Sequence, residues 1–310
     1  MRALCLHEIG GGLSVETMPD PEAAGPGKVV VDIAFASVNP LDIWVATGNV
    51  GTAAAQLPWV PGTEATGFVD GSPVLVRGSG LGVTQPGLCR QRAVVDADIV
   101  HPVPVDLDLA HVAAVGVAGI TAWNALHTKA VVHASDRVLV LGASGGVGCA
   151  AVQLAMATGA TVWGQTGAAA KVAGIHAHQV VVAASGPELF EAVRELRPTV
   201  VLDGLGGEFT TASIEALDLH GRLVVYGTSA DERVTHNLRT FYRKGLTMYG
   251  YTNIVEPVER QHAVLEQLFV AVRDGALRIP YELVPLEDST DVHGRLVRRE
   301  VEGKLVIDCR

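Results

Sequence analysis

Residues 138–157 read VLVLGASGGVGCAAVQLAMA, and the order of textures in that stretch decides the fold. An aliphatic run passes directly into a glycine turn, and the turn passes directly into an alanine-rich segment. A buried strand, a tight turn and a helix packed close against the strand produce this pattern, because a strand covered on both faces loses the usual apolar–polar alternation. From Val138 to Ala170 no residue is charged, a run longer than the ~20 residues that span a bilayer. Gly142, Gly145, Gly146, Gly148 and Gly159 nevertheless divide it into a strand, a helix and a second short β-branched strand, so it does not read as a membrane helix.

The same alternation extends C-terminally. From about Ala113 a helix over AAVGVAGITAWNALH leads into VLVLGA and its helix, TVWGQ and a helix, QVVVA and FEAVREL, TVVLDGLGG and SIEALDL, then RLVVYGT and LTMYGYT. Strands and helices at this period predict βαβ units around a parallel sheet. Before Val105 the texture differs: KVVVDIAFASV, GFVDGSPVLV and QRAVVDADIVHPV are short apolar runs broken by Gly and Pro, which predict a small, irregular β-rich domain. After about Asn253 come a long amphipathic helix (RQHAVLEQLFVAVRDGAL), YELVPL, a helix carrying His293 and a last strand, GKLVIDC. The expected division is residues 1–113 with 253–310 in one domain and 114–252 in the other, packed with a cleft between them.

Composition narrows the partners. A chain of 310 residues buries a large core without disulfide or metal staples. Its formal charge, 23 − 33 = −10, offers no broad basic surface for nucleic acid or anionic lipid. Cys5, Cys89, Cys149 and Cys309 form no CxxC pair, which argues for a reduced compartment and against a zinc ribbon. The N-terminal MRALCLHEIGG has no apolar run of signal-peptide length, so a cytoplasmic location is expected.

Gly142-Ala143-Ser144-Gly145-Gly146-Val147-Gly148 lies between strand and helix, where backbone N–H groups face a pyrophosphate. Ala143 stands where the first glycine of a GxGxxG pattern would be, but the strand before, helix after and second strand about 20 residues on restore the dinucleotide-binding context. With ASVNPLDIW, PWVPGTEATGFV, VAGITAWNAL, LDGLGG and the terminal EGKLVI, the chain resembles medium-chain dehydrogenases/reductases, in particular the zinc-independent quinone oxidoreductase (zeta-crystallin-like) branch. The resemblance implies an α/β protein with a GroES-like β-rich catalytic domain built from both chain ends and a Rossmann doubly wound parallel sheet in the middle. The chain is short for that family around Gly71 to Gln85.

In the zinc-dependent branch a Cys, a His and a second Cys hold the catalytic metal. The matching positions here are Asn39, Thr63 and Val117, none of which is a thiolate or imidazole ligand. No zinc is therefore expected. The eleven histidines show no HxxxH or HExxH spacing. For the cofactor, no acidic residue occurs between Asp136 and Glu188, so the carboxylate that would bind the 2′-hydroxyl of NAD is missing after the second strand. Thr166 and Lys171 occupy that region and point to NADPH, with a solvated helix charge as the alternative for Lys171. Ala183 stands where relatives often carry a tyrosine near the 2′-phosphate.

By resemblance, Thr121 packs against the nicotinamide, with a helix hydroxyl bonded to its own turn as the alternative. Gly227 and Tyr251 fall at the carboxyl ends of late strands, where ligands of open sheets bind. Arg299 and Lys304 reach the cofactor phosphates by family analogy, with surface charge as the alternative. Ser144, Gly145, Gly146 and Val147 complete the expected cofactor contacts. Without a Lewis acid, acceptors that delocalise charge are favoured, so the expected reaction is hydride transfer to quinones or α,β-unsaturated carbonyl compounds. Asn39 is the candidate donor to the developing oxyanion, and it also flanks the cofactor. Asp42 is expected to orient neighbours, Trp44 to wall a flat substrate, and Tyr251 to be the next candidate donor. An Asx-type turn in NPLD is the alternative for Asn39 and Asp42. A non-catalytic NADPH-binding protein and a reductase of a pathway-specific imine or enoyl intermediate remain open. The apolar last strand near Leu246–Tyr251 predicts a homodimer.

Overall fold

The computed structural model describes residues 1–21, 25–51 and 56–310. Two compact units are present. The first comprises Met1–Val117, Glu256–Arg273 and Ile279–Arg310, and the second Ala118–Val255 and Asp274–Arg278.

The first unit opens with the hairpin β1 (Arg2–Leu6) and β2 (Leu13–Thr17). It continues through β3 (Lys28–Ser37), α1 (Pro40–Ala46), β4 (Glu64–Val69), β5 (Ser72–Arg77), β6 (Arg92–Asp96) and β7 (Val100–Pro102) to α2 (Leu109–Trp123), within which the unit boundary falls. In the second unit β8 (Arg137–Val140), α3 (Gly146–Ala157), β9 (Thr161–Thr166), β10 (Gln179–Val182), α4 (Gly186–Val193), β11 (Val200–Asp203), α5 (Gly207–Ala216), β12 (Arg222–Val225), α6 (Leu238–Arg243) and β13 (Thr247–Gly250) follow. The chain then returns to the first unit with α7 (Val258–Arg273), β14 (Tyr281–Pro285), α8 (Val292–Val297) and β15 (Lys304–Asp308).

In the first unit the strands run β14-β15-β3-β4-β5-β7, with β6 pairing β3. The C-terminal strands thus complete a sheet begun by the N-terminal ones. In the second unit the order is β10-β9-β8-β11-β12-β13, parallel throughout. This is the 3-2-1-4-5-6 order of a doubly wound dinucleotide fold, with its switch point between β8 and β11. The fold class expected from sequence, a GroES-like unit and a Rossmann unit, is the one observed. Leu139, Leu202 and Leu223 are buried at the centre of the parallel sheet, each worth about 1.5–3 kcal/mol relative to exposure.

Two local expectations differ. Between β9 and β10 the chain forms only a 3-10 segment, Ala169–Gly174, with no buried residue; a segment with no apolar face to bury has little to stabilise a longer helix. Beyond Trp123 the helix widens into a π turn, Asn124–Ala130, ending on Val131 in the left-handed region at φ 50. The combined stretch Leu109–Ala130 is long and apolar enough to cross a membrane, but 78% of its most apolar window is buried, as in a core helix.

Candidate functional site

The glycine loop is fixed to the sheet on one side and open on the other. Gly142 begins the turn with φ +65. Its N–H donates to Gln165 Oε1 at 2.9 Å, and the Ala143 N–H to the Gln165 carbonyl at 2.8 Å. Ala143 therefore anchors the loop on β9, and its N–H is not turned to a ligand as the sequence expectation had it. Gly145 is the N-cap of α3 in extended conformation, and no side chain caps the helix. The first N–H groups of a helix, here at Gly146, Val147 and Gly148, have no preceding carbonyl within that helix, which suits them to an anion. A Cβ on Gly148 would stand 2.2 Å from the Gly142 carbonyl oxygen, so only glycine permits this close approach. Ser144 to Val147 are half-buried beside the fully buried Ala143. The loop fits a dinucleotide pyrophosphate.

At the end of β9, Thr166 is buried, and its hydroxyl accepts from the Ala168 N–H at 3.4 Å. Lys171 is half-buried in the 3-10 segment five residues on. At the end of β11, Asp203 accepts from the N–H groups of Leu205 and Gly206 at 2.8 and 3.0 Å and from Thr210 Oγ1 at 2.5 Å. It organises the turn into α5, and burial pushes its carboxyl up. The sequence reading quoted LDGLGG without singling out this carboxylate, although a buried acid before a glycine turn is its signal. Gly227 follows β12 closely packed on the next loop, where a Cβ would stand 3.0 Å from the Gly204 carbonyl oxygen.

Two side-chain ties join α2 and its π turn to the chain after β13. Asn124 Nδ2 donates to the Tyr251 hydroxyl oxygen at 3.0 Å and to the Ile120 carbonyl at 3.1 Å. Asn253 Nδ2 donates to Thr121 Oγ1 at 2.9 Å. Thr121 and Tyr251 are both buried. Sequence reasoning found them but missed Asn124 and Asn253; an asparagine within an apolar helix, NALH after AGITAW, was the available signal.

The first unit holds a closed polar cluster. Asn39 is the N-cap of α1, Pro40 follows it, and the Asp42 carboxylate reaches back to accept the Asn39 N–H at 2.7 Å. The Lys304 ammonium donates to Asn39 Oδ1 at 2.6 Å and to the Val38 carbonyl at 2.9 Å, and lies 3.7 Å from Glu64. An ammonium only donates, so the atom facing it is the amide oxygen and Nδ2 turns the other way. Nδ2 lies 3.0 Å from Glu64 Oε1, 3.2 Å from Thr63 Oγ1 and 3.4 Å from the Ser37 carbonyl. Glu64 Oε2 accepts the Val117 N–H at 2.6 Å, and Gly116 leaves room for it, since a Cβ there would stand 2.0 Å from that oxygen. Burial pushes the Asp42 carboxyl up to about 7, against the pull of the Asn39 N–H and Lys304. Burial also pushes the Lys304 ammonium down, opposed by Glu64 and Asp42.

Two expectations are corrected here. Lys304 is not a surface cation reaching for phosphate: it is buried and engaged by Asn39, Val38 and Glu64. Asn39 has both amide hydrogens facing acceptors of its own unit, so it is not poised to donate to a substrate oxygen. Trp44 is half-buried two residues beyond Asp42, on a different face of α1. Arg299 is exposed, in the left-handed region at φ 57 after α8. The structure gathers Asn39, Thr63 and Val117 around Glu64, but an amide, a hydroxyl and a backbone N–H beside an ammonium are not a zinc donor set. Among the described residues no three His, Cys, Asp or Glu side chains are grouped to hold a metal.

A doubly wound sheet with an uncapped glycine loop, joined to a GroES-like unit, defines a dinucleotide-dependent dehydrogenase architecture. Two family models match: the alcohol dehydrogenase GroES-like domain over residues 25–105 and the zinc-binding dehydrogenase domain over 146–267. The quinone oxidoreductase of Lama guanicoe is 27% identical over 329 residues, covering 99% of this chain and 97% of that protein. A mycocerosic acid synthase-like polyketide synthase of Mycobacterium tuberculosis is 29% identical over 92% of this chain, which spans 14% of the synthase. Among solved structures, an NAD-dependent alcohol dehydrogenase superposes with a TM-score of 0.87 at 26% identity, covering 99% of both chains. Escherichia coli quinone oxidoreductase complexed with NADPH shares the fold at TM-score 0.87 and 22% identity, covering 99% of this chain and 100% of that one. The chain belongs to the medium-chain dehydrogenase/reductase superfamily and is quinone oxidoreductase-like.

Proposed function

We propose that the chain is an NADPH-dependent, zinc-independent oxidoreductase that reduces quinones or α,β-unsaturated carbonyl compounds. The observation that carries this is the closed Lys304–Asn39–Glu64 cluster at the positions where zinc-dependent relatives hold their metal. With an ammonium and two engaged donors there, no Lewis acid stabilises a localised alkoxide, and acceptors that spread charge over a conjugated system remain. When bound, the reduced nicotinamide supplies hydride to such an acceptor. The N–H groups at Ser144 to Val147 hold the pyrophosphate, and Thr166 with Lys171 holds the 2′-phosphate, which no carboxylate repels. Thr121 and Tyr251 flank the nicotinamide, Trp44 offers a flat apolar wall, and Gly227 allows close backbone approach. The NADPH complex of the Escherichia coli relative supports the cofactor, whereas the NAD-dependent structural relative makes the choice worth measuring.

The test is continuous NADPH oxidation against a panel of small quinones and enones, beside fluorescence titration of NADPH. Turnover is expected with at least one acceptor. Tight NADPH binding without turnover on any would favour a cofactor-binding protein instead. Four buried free cysteines fit a reducing, cytoplasmic setting within the proposal. The edge strand β13, with Met248 exposed, supports a homodimer formed by edge pairing, for which light scattering at micromolar concentration should give twice the mass of one chain.

A further inference from the structure

We propose that Tyr251 donates the hydrogen bond to the substrate oxygen that gains charge, and that Asn124 is the positioning residue that aims it; this rests on the reductase reading above. The first argument is placement across the sheet. The phosphate loop follows β8, and Thr166 and Lys171 follow β9 to one side of it. A dinucleotide with its pyrophosphate at β8 and its adenosine over β9 extends its other half toward β11, β12 and β13. Tyr251 follows β13 directly, with its N–H on the Val225 carbonyl of β12 at 2.9 Å.

The second argument is the state of the donors. Asn39, the other candidate, faces Glu64 and Thr63 with its hydrogens and is held by Lys304 through its oxygen. Tyr251 instead receives a hydrogen bond. A phenol oxygen that accepts from an amide becomes a better O–H donor, because the accepted bond stabilises charge developing on that oxygen.

The third argument is that Asn124 is itself locked. Thr128 Oγ1 donates to Asn124 Oδ1 at 2.8 Å, which settles the amide orientation and turns Nδ2 toward Tyr251 and the Ile120 carbonyl. Asn124 is the first residue of the π turn, and Thr128 lies within it. π turns recur at functional sites because the inserted residue re-aims a side chain. This one is clamped at its far end, where Arg222 donates to the Ala130 and Val131 carbonyls and pairs with Asp136. Asn253 on Thr121 ties the chain beyond Tyr251 to the same helix. Nothing in the fold of the sheet requires these bonds.

The test is a double-mutant cycle with an enone acceptor. Tyr251→Phe and Asn124→Leu should each lower kcat about tenfold or more while changing the KM for NADPH less than about twofold. Asn124→Leu in the Tyr251→Phe background should cost less than about twofold further. Thr128→Val, which only frees the amide to turn, should lower kcat about threefold. An unchanged kcat in Tyr251→Phe, or an equal loss from Asn124→Leu in both backgrounds, overturns the proposal. A second readout needs no turnover: phenolate absorbance of the cofactor-free protein, as the difference from Tyr251→Phe, should show Tyr251 ionising at lower pH in the wild type than in Asn124→Leu. If that shift holds while no acceptor is reduced, the reductase reading fails and the Asn124–Tyr251 pairing stands; if it is absent, the pairing fails.

Discussion

The GroES-like unit and the Rossmann unit each gather polar groups in a buried setting, but they treat them in opposite ways. Around Asn39 the groups satisfy one another: Lys304, Glu64, Asp42, Thr63 and the Val117 N–H form a network closed within the unit. Around Gly145 the polar groups are helix N–H donors with no side-chain cap, so their satisfaction is left to water or a ligand. A closed network specifies structure, while an open one specifies binding. Residue type does not separate the two cases, because Lys and Asn occur in both units; what separates them is whether the partners belong to the same unit.

The largest expected effect tests the closed network. Lys304→Met leaves Glu64 buried without its counter-charge, and breaking a buried pair from one side costs about 3–5 kcal/mol. Urea unfolding should show a loss of that size, and the Lys304→Met/Glu64→Gln double variant should recover a large part of it, since Gln still accepts the Val117 N–H. If Lys304→Met unfolds like the wild type and weakens NADPH instead, Lys304 contacts cofactor after all and the contrast between the units collapses.

The sequence made the open region legible and hid the closed one for the same physical reason. Gly142, Gly145 and Gly148 answer to local backbone demands, a left-handed turn and a 2.2 Å approach, which leave their mark at fixed short spacing. The βαβ alternation is equally local, and it carried the order of strands around β8. Lys304 and Asn39 are 265 residues apart, and Glu64 is 25 from Asn39. No periodicity connects them, so resemblance alone had to guess their roles, and it placed Lys304 at the phosphates. Asn124 was hidden because the π turn that aims it replaces what an apolar run predicts as continuous α-helix. The NPLD segment was closer to legible: its Asx-type alternative is in fact the helix start at Asn39, with Asp42 reaching back.

A smaller effect concerns pH, and two buried groups of the first unit oppose each other. His101 packs against His262 with ring centroids 3.8 Å apart; burial first, then His262 and Arg77, push its imidazole down to about 3. Burial alone pushes His293 down to about 4. An unfolded histidine protonates near 6.5, so the unfolded chain binds more protons below that pH, and stability from these groups is lost as pH falls from 6.5 toward 3. Asp42 has the reverse sign. Its folded carboxyl titrates near 7 against 3.8 unfolded, so the folded state binds the proton first and stability rises as pH falls from 7 toward 4. Urea midpoints for Asp42→Asn should therefore fall more steeply with acid than those of the wild type, and those for His101→Phe less steeply. Parallel profiles in all three proteins would mean that neither group changes its protonation on folding.

The smallest effect tests the open region. Lys171 sits in the 3-10 segment after β9, on the side of the glycine loop where the missing acid leaves room for a 2′-phosphate. One charge-assisted contact to that phosphate accounts for about 1.4 kcal/mol, or tenfold in affinity, and NADH cannot make it. Lys171→Ala should bring the NADPH and NADH dissociation constants within about twofold of each other, with NADH binding and unfolding unchanged. Raising salt should narrow the wild-type gap in the same direction, because a half-buried lysine is screened, whereas the Lys304 network should be insensitive to salt. A wild-type gap that survives Lys171→Ala would leave the Thr166 hydroxyl and the N–H groups of the Gly167 turn as the phosphate partners, moving the source of cofactor preference from a side-chain charge to the backbone.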